Sequence, residues 1–286
     1  MSSVTRGHRL YFAAVCALAL LVGLRGFFTP GQVDAAIPWL VPPLHARFLG
    51  AMYLSGATFM IGCLFARRWS EVRVVVPMIA IWTGTLFLVS LLHLSEFDLA
   101  RRQSWVWFAA YLVYPLIAAW LTWRMRAADP AGMADAADTA DPARMAAPPH
   151  RLPAWLLIYL RVQGIVMTLL ALALLLVPAR VVPVWPWKLP LLLGQLYAAP
   201  FLSYGIGSLL LARERTWPQV RIAVVAMWVF ALAVLCASLI HRALFSVADG
   251  PDVLWFAAFG AATVALGMAT LTAGRGGQAE PHPGSA

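Results

Sequence analysis

Residues 74–93 read VVVPMIAIWTGTLFLVSLLH, a run of twenty residues without a single Asp, Glu, Lys or Arg. A helix of about 20 apolar residues is long enough to cross the hydrocarbon core of a bilayer. Residues 222–241 read IAVVAMWVFALAVLCASLIH, and this run is also uncharged and also ends on histidine. The two runs predict membrane-spanning helices, and their likeness predicts that the chain contains a repeated unit.

The composition of the whole chain agrees with these two runs. The 286 residues are 62% hydrophobic and 12% charged, with a mean hydropathy of +0.78. Soluble domains are nearer 45–50% apolar and about 25% charged. An ordinary soluble enzyme, a disordered chain and a disulfide scaffold are therefore excluded, and we expect an all-α, polytopic helical membrane protein.

Further apolar runs of similar length lie on both sides of the first two. They are continuous, whereas the strands of a membrane barrel alternate in hydrophobicity over about ten residues. Eight transmembrane helices are therefore predicted, at residues 10–28, 47–66, 74–93, 105–123, 154–177, 191–212, 222–241 and 253–273.

The chain resembles itself at an offset of 148 residues, without a gap. The matched pairs include Pro38-Trp39 with Pro186-Trp187, Ser55 with Ser203, Val72-Arg73 with Val220-Arg221, His93 with His241, and Trp107-Phe108 with Trp255-Phe256. We therefore expect two tandem four-helix repeats. Four spans return the chain to the side where it began, so the repeats should be parallel, related by an axis along the membrane normal.

This repeat divides the chain into four parts. We expect a first four-helix transmembrane repeat at residues 1–126 and a second at residues 153–274. Residues 127–152 are rich in Ala, Asp and Pro and are expected to form a cytoplasmic linker. Residues 275–286 are polar and are expected to be a disordered C-terminal tail.

The formal net charge of +9 reflects 21 Lys and Arg against 12 Asp and Glu. No basic stripe with interleaved aromatic residues accompanies this charge, so nucleic acid is not an expected partner. Arginines concentrate in the segments that share a side with the N-terminus, and basic residues favour cytoplasmic loops. The expected location is the bacterial cytoplasmic (inner) membrane, with both termini in the cytoplasm and the lipid bilayer as partner.

The matched histidines are the first candidates for a ligand site. His93 and His241 end equivalent spans on the predicted outer side, and Glu96 follows His93 at a spacing that shares one helix face. Histidine can bind a substrate, an ion, a metal or haem. It can also be an interfacial residue that bonds a backbone carbonyl or water. In the second half, Leu244 stands at the position of Glu96 and cannot bind a metal, so the hypothesis of a metal site is weakened.

Two tryptophans and one arginine complete the candidate ligand-binding set. Trp39 and Trp187 lie in Pro-Trp segments before the second and sixth predicted spans. Tryptophan favours the membrane–water boundary, so these segments either anchor outer loops or cover a cavity between the halves. Arg161 lies within the fifth predicted span, where it either extends its charge to the interface or lines a polar cavity.

Two resemblances bear on the architecture. The Pro-Trp…Pro-Leu segments resemble those of bacterial multi-pass membrane proteins with a duplicated four-helix unit, a resemblance that implies no activity. Eight helices in two four-helix halves also resemble the layout of haem A synthase, which implies a histidine pair within each half. Here His45 faces Leu193 in the alignment of the halves, so no site is carried over from that family.

These observations leave three functions open. The first is a non-enzymatic protein that binds or transports a small apolar or lipid-like molecule between its repeats near the outer face. The second is a structural subunit of a membrane complex. The third is a membrane-embedded redox or metal enzyme that uses His93 and His241. No catalytic residue and no metal ligand is assigned, and the sequence does not identify a cofactor.

Overall fold

The structure is a computed structural model that describes residues 4–35, 37–39, 41–128 and 152–275. Nine α-helices and no β-strand lie in this part of the chain. The helices are α1 (Arg6–Phe28), α2 (Pro43–Phe65), α3 (Val75–Leu92), α4 (Arg102–Ala128), α5 (Ala154–Leu176), α6 (Pro178–Val181), α7 (Leu191–Leu211), α8 (Trp217–Ile240) and α9 (Gly250–Arg275). Nearly all of the expected linker and tail lies outside the described residues.

Seven helices are long and apolar enough to cross a membrane, namely α1, α2, α3, α4, α5, α8 and α9. This finding confirms the prediction of an all-α helical membrane protein. It does not include α7, which matches the sixth predicted span and has 21 residues. That helix carries several polar residues and a proline, and all of these are buried: Gln195, Tyr197, Pro200, Ser203, Tyr204 and Ser208.

Large apolar side chains cover the outer faces of the peripheral helices. Leu10 on α1, Trp123 on α4, Leu169 on α5 and Leu254 on α9 are each more than half exposed. Soluble monomers rarely expose apolar surface on this scale. The exposed faces therefore indicate a lipid bilayer as the surroundings of the helices.

Several helix ends are set by local sequence. Thr5 precedes α1, where its backbone N–H donates to His8 Nδ1 at 2.9 Å in a reciprocal cap. Thr216 and Gln219 form the corresponding cap of α8. Pro43 is the first residue of α2, a position that needs no backbone donor.

The helices pack in four pairs, with α1 on α2, α3 on α4, α5 on α7, and α8 on α9. Two further contacts join the halves, since α2 packs on α8 and α3 packs on α7. The helices α2, α3, α7 and α8 therefore form the centre. The approach of α1 to α2 is close at Gly50, where an added Cβ would lie 2.8 Å from the carbonyl carbon of Gly26.

Candidate functional site

The matched histidines lie at the end of the bundle where α3 ends and α4 begins, here called the distal end. His93 Nε2 lies 2.5 Å from Oε1 of Gln195, and His241 Nε2 lies 2.7 Å from a guanidinium nitrogen of Arg47. Gln195 and Arg47 are themselves equivalent at the offset of 148 residues. Each histidine therefore makes the same kind of contact with the opposite half.

The two contacts differ in the direction of the hydrogen bond. The Gln195 oxygen can only accept, so His93 Nε2–H donates to it. Arginine can only donate, so His241 Nε2 accepts from Arg47 and its ring proton lies on Nδ1. Burial, followed by the positive charge of Arg47, lowers the pKa of His241 below its usual value. The neutral ring is thus the form that fits this contact.

Two of the predicted ligand-binding residues do not join these histidines. Glu96 lies in a short 3-10 turn after α3 has ended, its side chain is exposed, and its backbone N–H donates to the His93 carbonyl at 2.9 Å. Arg161 is exposed on α5. Within the described residues, no three His, Cys, Asp or Glu side chains are grouped so that they could hold a metal ion.

The two Pro-Trp segments lie against the distal ends of α4 and α9. The indole of Trp39 meets that of Trp107 at 4.9 Å and 79°, and the indole of Trp187 meets that of Trp255 at 4.9 Å and 90°. These edge-to-face contacts bury both tryptophans. The indole N–H groups of Trp39 and Trp187 have no hydrogen-bond partner, and both lie within this aromatic packing.

Aromatic side chains also fill the space between the halves near the distal end. Phe48 on α2 lies 4.1 Å from the ring of Tyr197 on α7, and both side chains are almost fully buried. His45 Nδ1 lies 2.7 Å from the Tyr197 hydroxyl, and its Nε2–H donates to the carbonyl of Lys188 at 3.1 Å. His45 thus ties the second Pro-Trp segment to α2 with both ring nitrogens satisfied.

A cavity of about 400 Å³ lies within the first four helices, and we call it the first-half cavity. Its lining comes from α1, α2, α3 and α4 and is mainly apolar. Leu18, Leu21 and Val106 line it and are 42%, 46% and 51% exposed, so the cavity opens to the surface between α1 and α4. In its interior, the hydroxyls of Tyr53 and Tyr111 are hydrogen-bonded to each other.

The equivalent place in the second half holds a cavity of only about 30 Å³. The correspondence is residue by residue, since Met227 lines the small cavity where Ile79 lines the large one. Tyr204 stands at the position of Gly56 and is 2% exposed. A Cβ added to Gly56 would meet no atom within 4 Å. The exchange of glycine for tyrosine therefore adds a buried ring to the lining of the smaller cavity.

The residue-level features of both sites were missed by the sequence predictions. The first-half cavity has a signal in the alignment of the halves, where a glycine at position 56 stands opposite a tyrosine at position 204. The partners of the histidines also had a signal, because Arg47 and Gln195 are polar residues at equivalent positions near the ends of spans. His45 had no such signal, since its counterpart is a leucine.

Comparison with protein families, curated proteins and solved structures finds no match to this chain. The class of protein therefore rests on the seven apolar helices, which define a helical membrane protein.

Proposed function

We propose that this chain is a non-enzymatic integral membrane protein that binds one lipid-like apolar molecule in the first-half cavity. The observation that carries the proposal is the cavity itself, with its apolar lining and its opening between α1 and α4. Sites for small molecules in proteins have volumes of about 300–1,000 Å³ and are mostly apolar. An apolar molecule could enter this cavity directly from the bilayer.

This proposal places the site within the first half, whereas the sequence suggested a site between the halves. Two observations favour the change. The space between the halves near the distal end is filled by rings such as those of Phe48 and Tyr197. The rings of His93 and His241 are each engaged by a polar partner and do not line the first-half cavity.

The polar atoms around the cavity favour binding over chemistry. The Thr83 hydroxyl donates to the carbonyl of Ile79 at 2.7 Å, and the Trp107 indole N–H donates to Ser90 at 2.8 Å. Tyr53 and Tyr111 are bonded to each other. These groups satisfy one another within the protein, so the lining around them, away from Arg102 and Gln103, offers a ligand little more than van der Waals contact.

We also propose that the molecule has eight membrane spans, with α7 as the sixth, and arose by tandem duplication. Ser55 donates to the carbonyl of Ala226 at 2.6 Å, and Ser203 donates to the carbonyl of Met78 at 2.8 Å. The two bonds are equivalent, since Ser203 corresponds to Ser55 and Met78 corresponds to Ala226 at the offset of 148 residues. Such a pair supports two parallel repeats related by an axis along the membrane normal.

A second pair of equivalent hydrogen bonds supports the same architecture. Trp107 donates to Ser90 at 2.8 Å in the first half, and Trp255 donates to Ser238 at 3.0 Å in the second. The distribution of arginines supports a location in the bacterial inner membrane with both termini in the cytoplasm. In this orientation the distal end faces outward.

A cavity-filling substitution tests the function. Gly56→Leu places a side chain in the first-half cavity without a backbone clash. The matched control is Gly260→Leu on α9. An added Cβ at Gly260 also meets no atom within 4 Å, and Gly260 lines neither cavity. Both variants and the parent would be released gently from membranes and examined by native mass spectrometry.

The parent and Gly260→Leu should retain one lipid-like mass per chain, and Gly56→Leu should lose it. Displacing two or three buried methylenes, at about 0.8 kcal/mol each, lowers retention by tenfold or more. Equal retention by all three proteins would overturn the assignment of the cavity. A parent that carries no such mass, even after incubation with bilayer lipids, would overturn the binding function as well.

A further inference from the structure

We infer that the occupant of the first-half cavity is an anionic phospholipid that places one acyl chain inside the cavity and its phosphate headgroup beside Arg25 and Arg102. This inference rests on the proposed function and specifies its ligand.

Two arginines flank the mouth at the distal end. Arg102 is the first residue of α4 and lines the cavity. Arg25 lies one helical turn beyond Leu21, which lines the cavity from α1, so the two residues share a helix face. Both arginines are exposed. Arginines on the two helices that border the opening suit a phosphate, which a guanidinium can bind through two parallel N–H donors.

The two positions that carry Arg25 and Arg102 are uncharged in the second half. In the second half, Ala173 stands at the position of Arg25 and Gly250 at the position of Arg102. The half with the small cavity therefore has neither cation at the equivalent positions. The open cavity and both charges are found together in one half, as expected if they serve one ligand.

The length of the cavity matches one leaflet of a bilayer. Its lining on α4 runs from Arg102 to Tyr114, a rise of about 18 Å at 1.5 Å per residue. Half of the hydrocarbon core of a bilayer is about 15 Å. A chain whose headgroup lies at the arginines would therefore reach the middle of the membrane at the deep end of the cavity.

The shape of the opening favours a phospholipid over a free fatty acid. The mouth extends sideways along exposed Leu18, Leu21 and Val106, so a second acyl chain can remain outside in the bilayer. The arginines are exposed at the distal end, where a phosphate stays in the headgroup region. Arg102 is the one charged side chain in the described lining of the cavity, and zwitterionic lipids gain less from arginines than anionic lipids do.

The test uses the full-length protein in nanodiscs of equal parts phosphatidylglycerol and phosphatidylcholine. Bound lipid is counted by native mass spectrometry after release. The variant is Arg25→Gln/Arg102→Gln, and the matched control is Arg180→Gln/Arg242→Gln, which removes two exposed arginines from the same end of the second half. A third sample of the parent receives oleate as a competitor.

The parent and the control should retain phosphatidylglycerol in preference to phosphatidylcholine. Each arginine near the membrane surface contributes about fivefold, so the preference should fall roughly 25-fold in the double variant. Oleate should not displace the phospholipid. Equal retention of the two lipids by the parent, an unchanged preference in the double variant, or replacement by oleate would each overturn the inference.

The two proposals fail in different ways. If the cavity binds an apolar molecule without selecting its headgroup, Gly56→Leu still abolishes retention while the arginine variant changes nothing. If the cavity binds no lipid, Gly56→Leu has no effect on the bound mass, whatever the headgroup preference of the surrounding lipid.

Discussion

Tyr204 is the residue whose removal should make the second half resemble the first. Its side chain is 2% exposed, its ring lies 5.5 Å from that of Trp82 and 5.2 Å from that of Phe230, and its hydroxyl bonds Ser55 at 2.5 Å. Truncating a fully buried aromatic side chain costs about 3–5 kcal/mol, because the surroundings collapse only in part. We expect Tyr204→Ala to lower the free energy of unfolding by this amount.

The hydroxyl and the ring of Tyr204 can be separated by a second variant. Hydrogen bonds between membrane helices contribute about 0.6 kcal/mol on average, with a maximum of about 1.7 kcal/mol. Tyr204→Phe should therefore cost much less than Tyr204→Ala. Unfolding would be followed by tryptophan fluorescence and circular dichroism as dodecyl sulfate is added to protein in mild micelles.

The Tyr204→Ala variant should also gain a binding site. Opening the second half creates a cavity equivalent to that around Gly56, so a second lipid should be retained and should restore part of the lost stability. A loss below about 1 kcal/mol for Tyr204→Ala, or an equal loss for Tyr204→Phe, would show that the ring does not fill this space in the way described.

Three further predictions concern the contacts that hold the helices together. The pKa of His241 in the folded protein lies below its usual 6.5, so the contribution of the neutral ring to stability is complete above pH 6.5 and is lost as the pH falls. His241→Gln should therefore flatten the fall of the melting temperature below pH 6.5. An unchanged pH profile of the melting temperature would contradict this. Gly50→Ala should destabilise the protein, because the added methyl group meets the backbone of α1. Gly56→Ala on the same helix meets no atom and should stabilise the protein by up to about 1 kcal/mol in the same dodecyl sulfate titration. Equal effects of the two variants would refute the close approach of α1 to α2 at Gly50. Ser203→Ala should cost about 0.6 kcal/mol, since it removes one bond between the halves, and a loss of several kcal/mol would indicate a larger rearrangement.

Hydrophobic runs predicted the helices well because the bilayer constrains their composition. The run at 74–93 corresponds to α3 at Val75–Leu92. The ends of the helices were less predictable, since hydropathy indicates which residues lie in the apolar layer and not where a helix ends. The predicted span 105–123 is part of α4 at Arg102–Ala128, where arginines at both ends can continue the helix into the interface.

The candidate site was less predictable because it depends on how helices pack. The alignment of the halves identifies His93 and His241, yet only the contacts between the halves show that each meets a polar residue of the other half. The cavity depends on the space between α1 and α4, and the periodicity of hydrophobic residues along a single helix does not predict that space. A glycine opposite Tyr204 was visible in the sequence, but its meaning required the surrounding packing.

Photo-crosslinking would show whether a lipid chain occupies the first-half cavity. A phosphatidylglycerol with a diazirine on one acyl chain would be incorporated into nanodiscs with the full-length protein, activated by light, and mapped by peptide mass spectrometry. We expect residues 15–22 and 106–114 to be labelled far more than residues 163–170 and 254–262, their counterparts in the second half. Equal labelling of both halves, or labels confined to outer faces, would contradict this expectation.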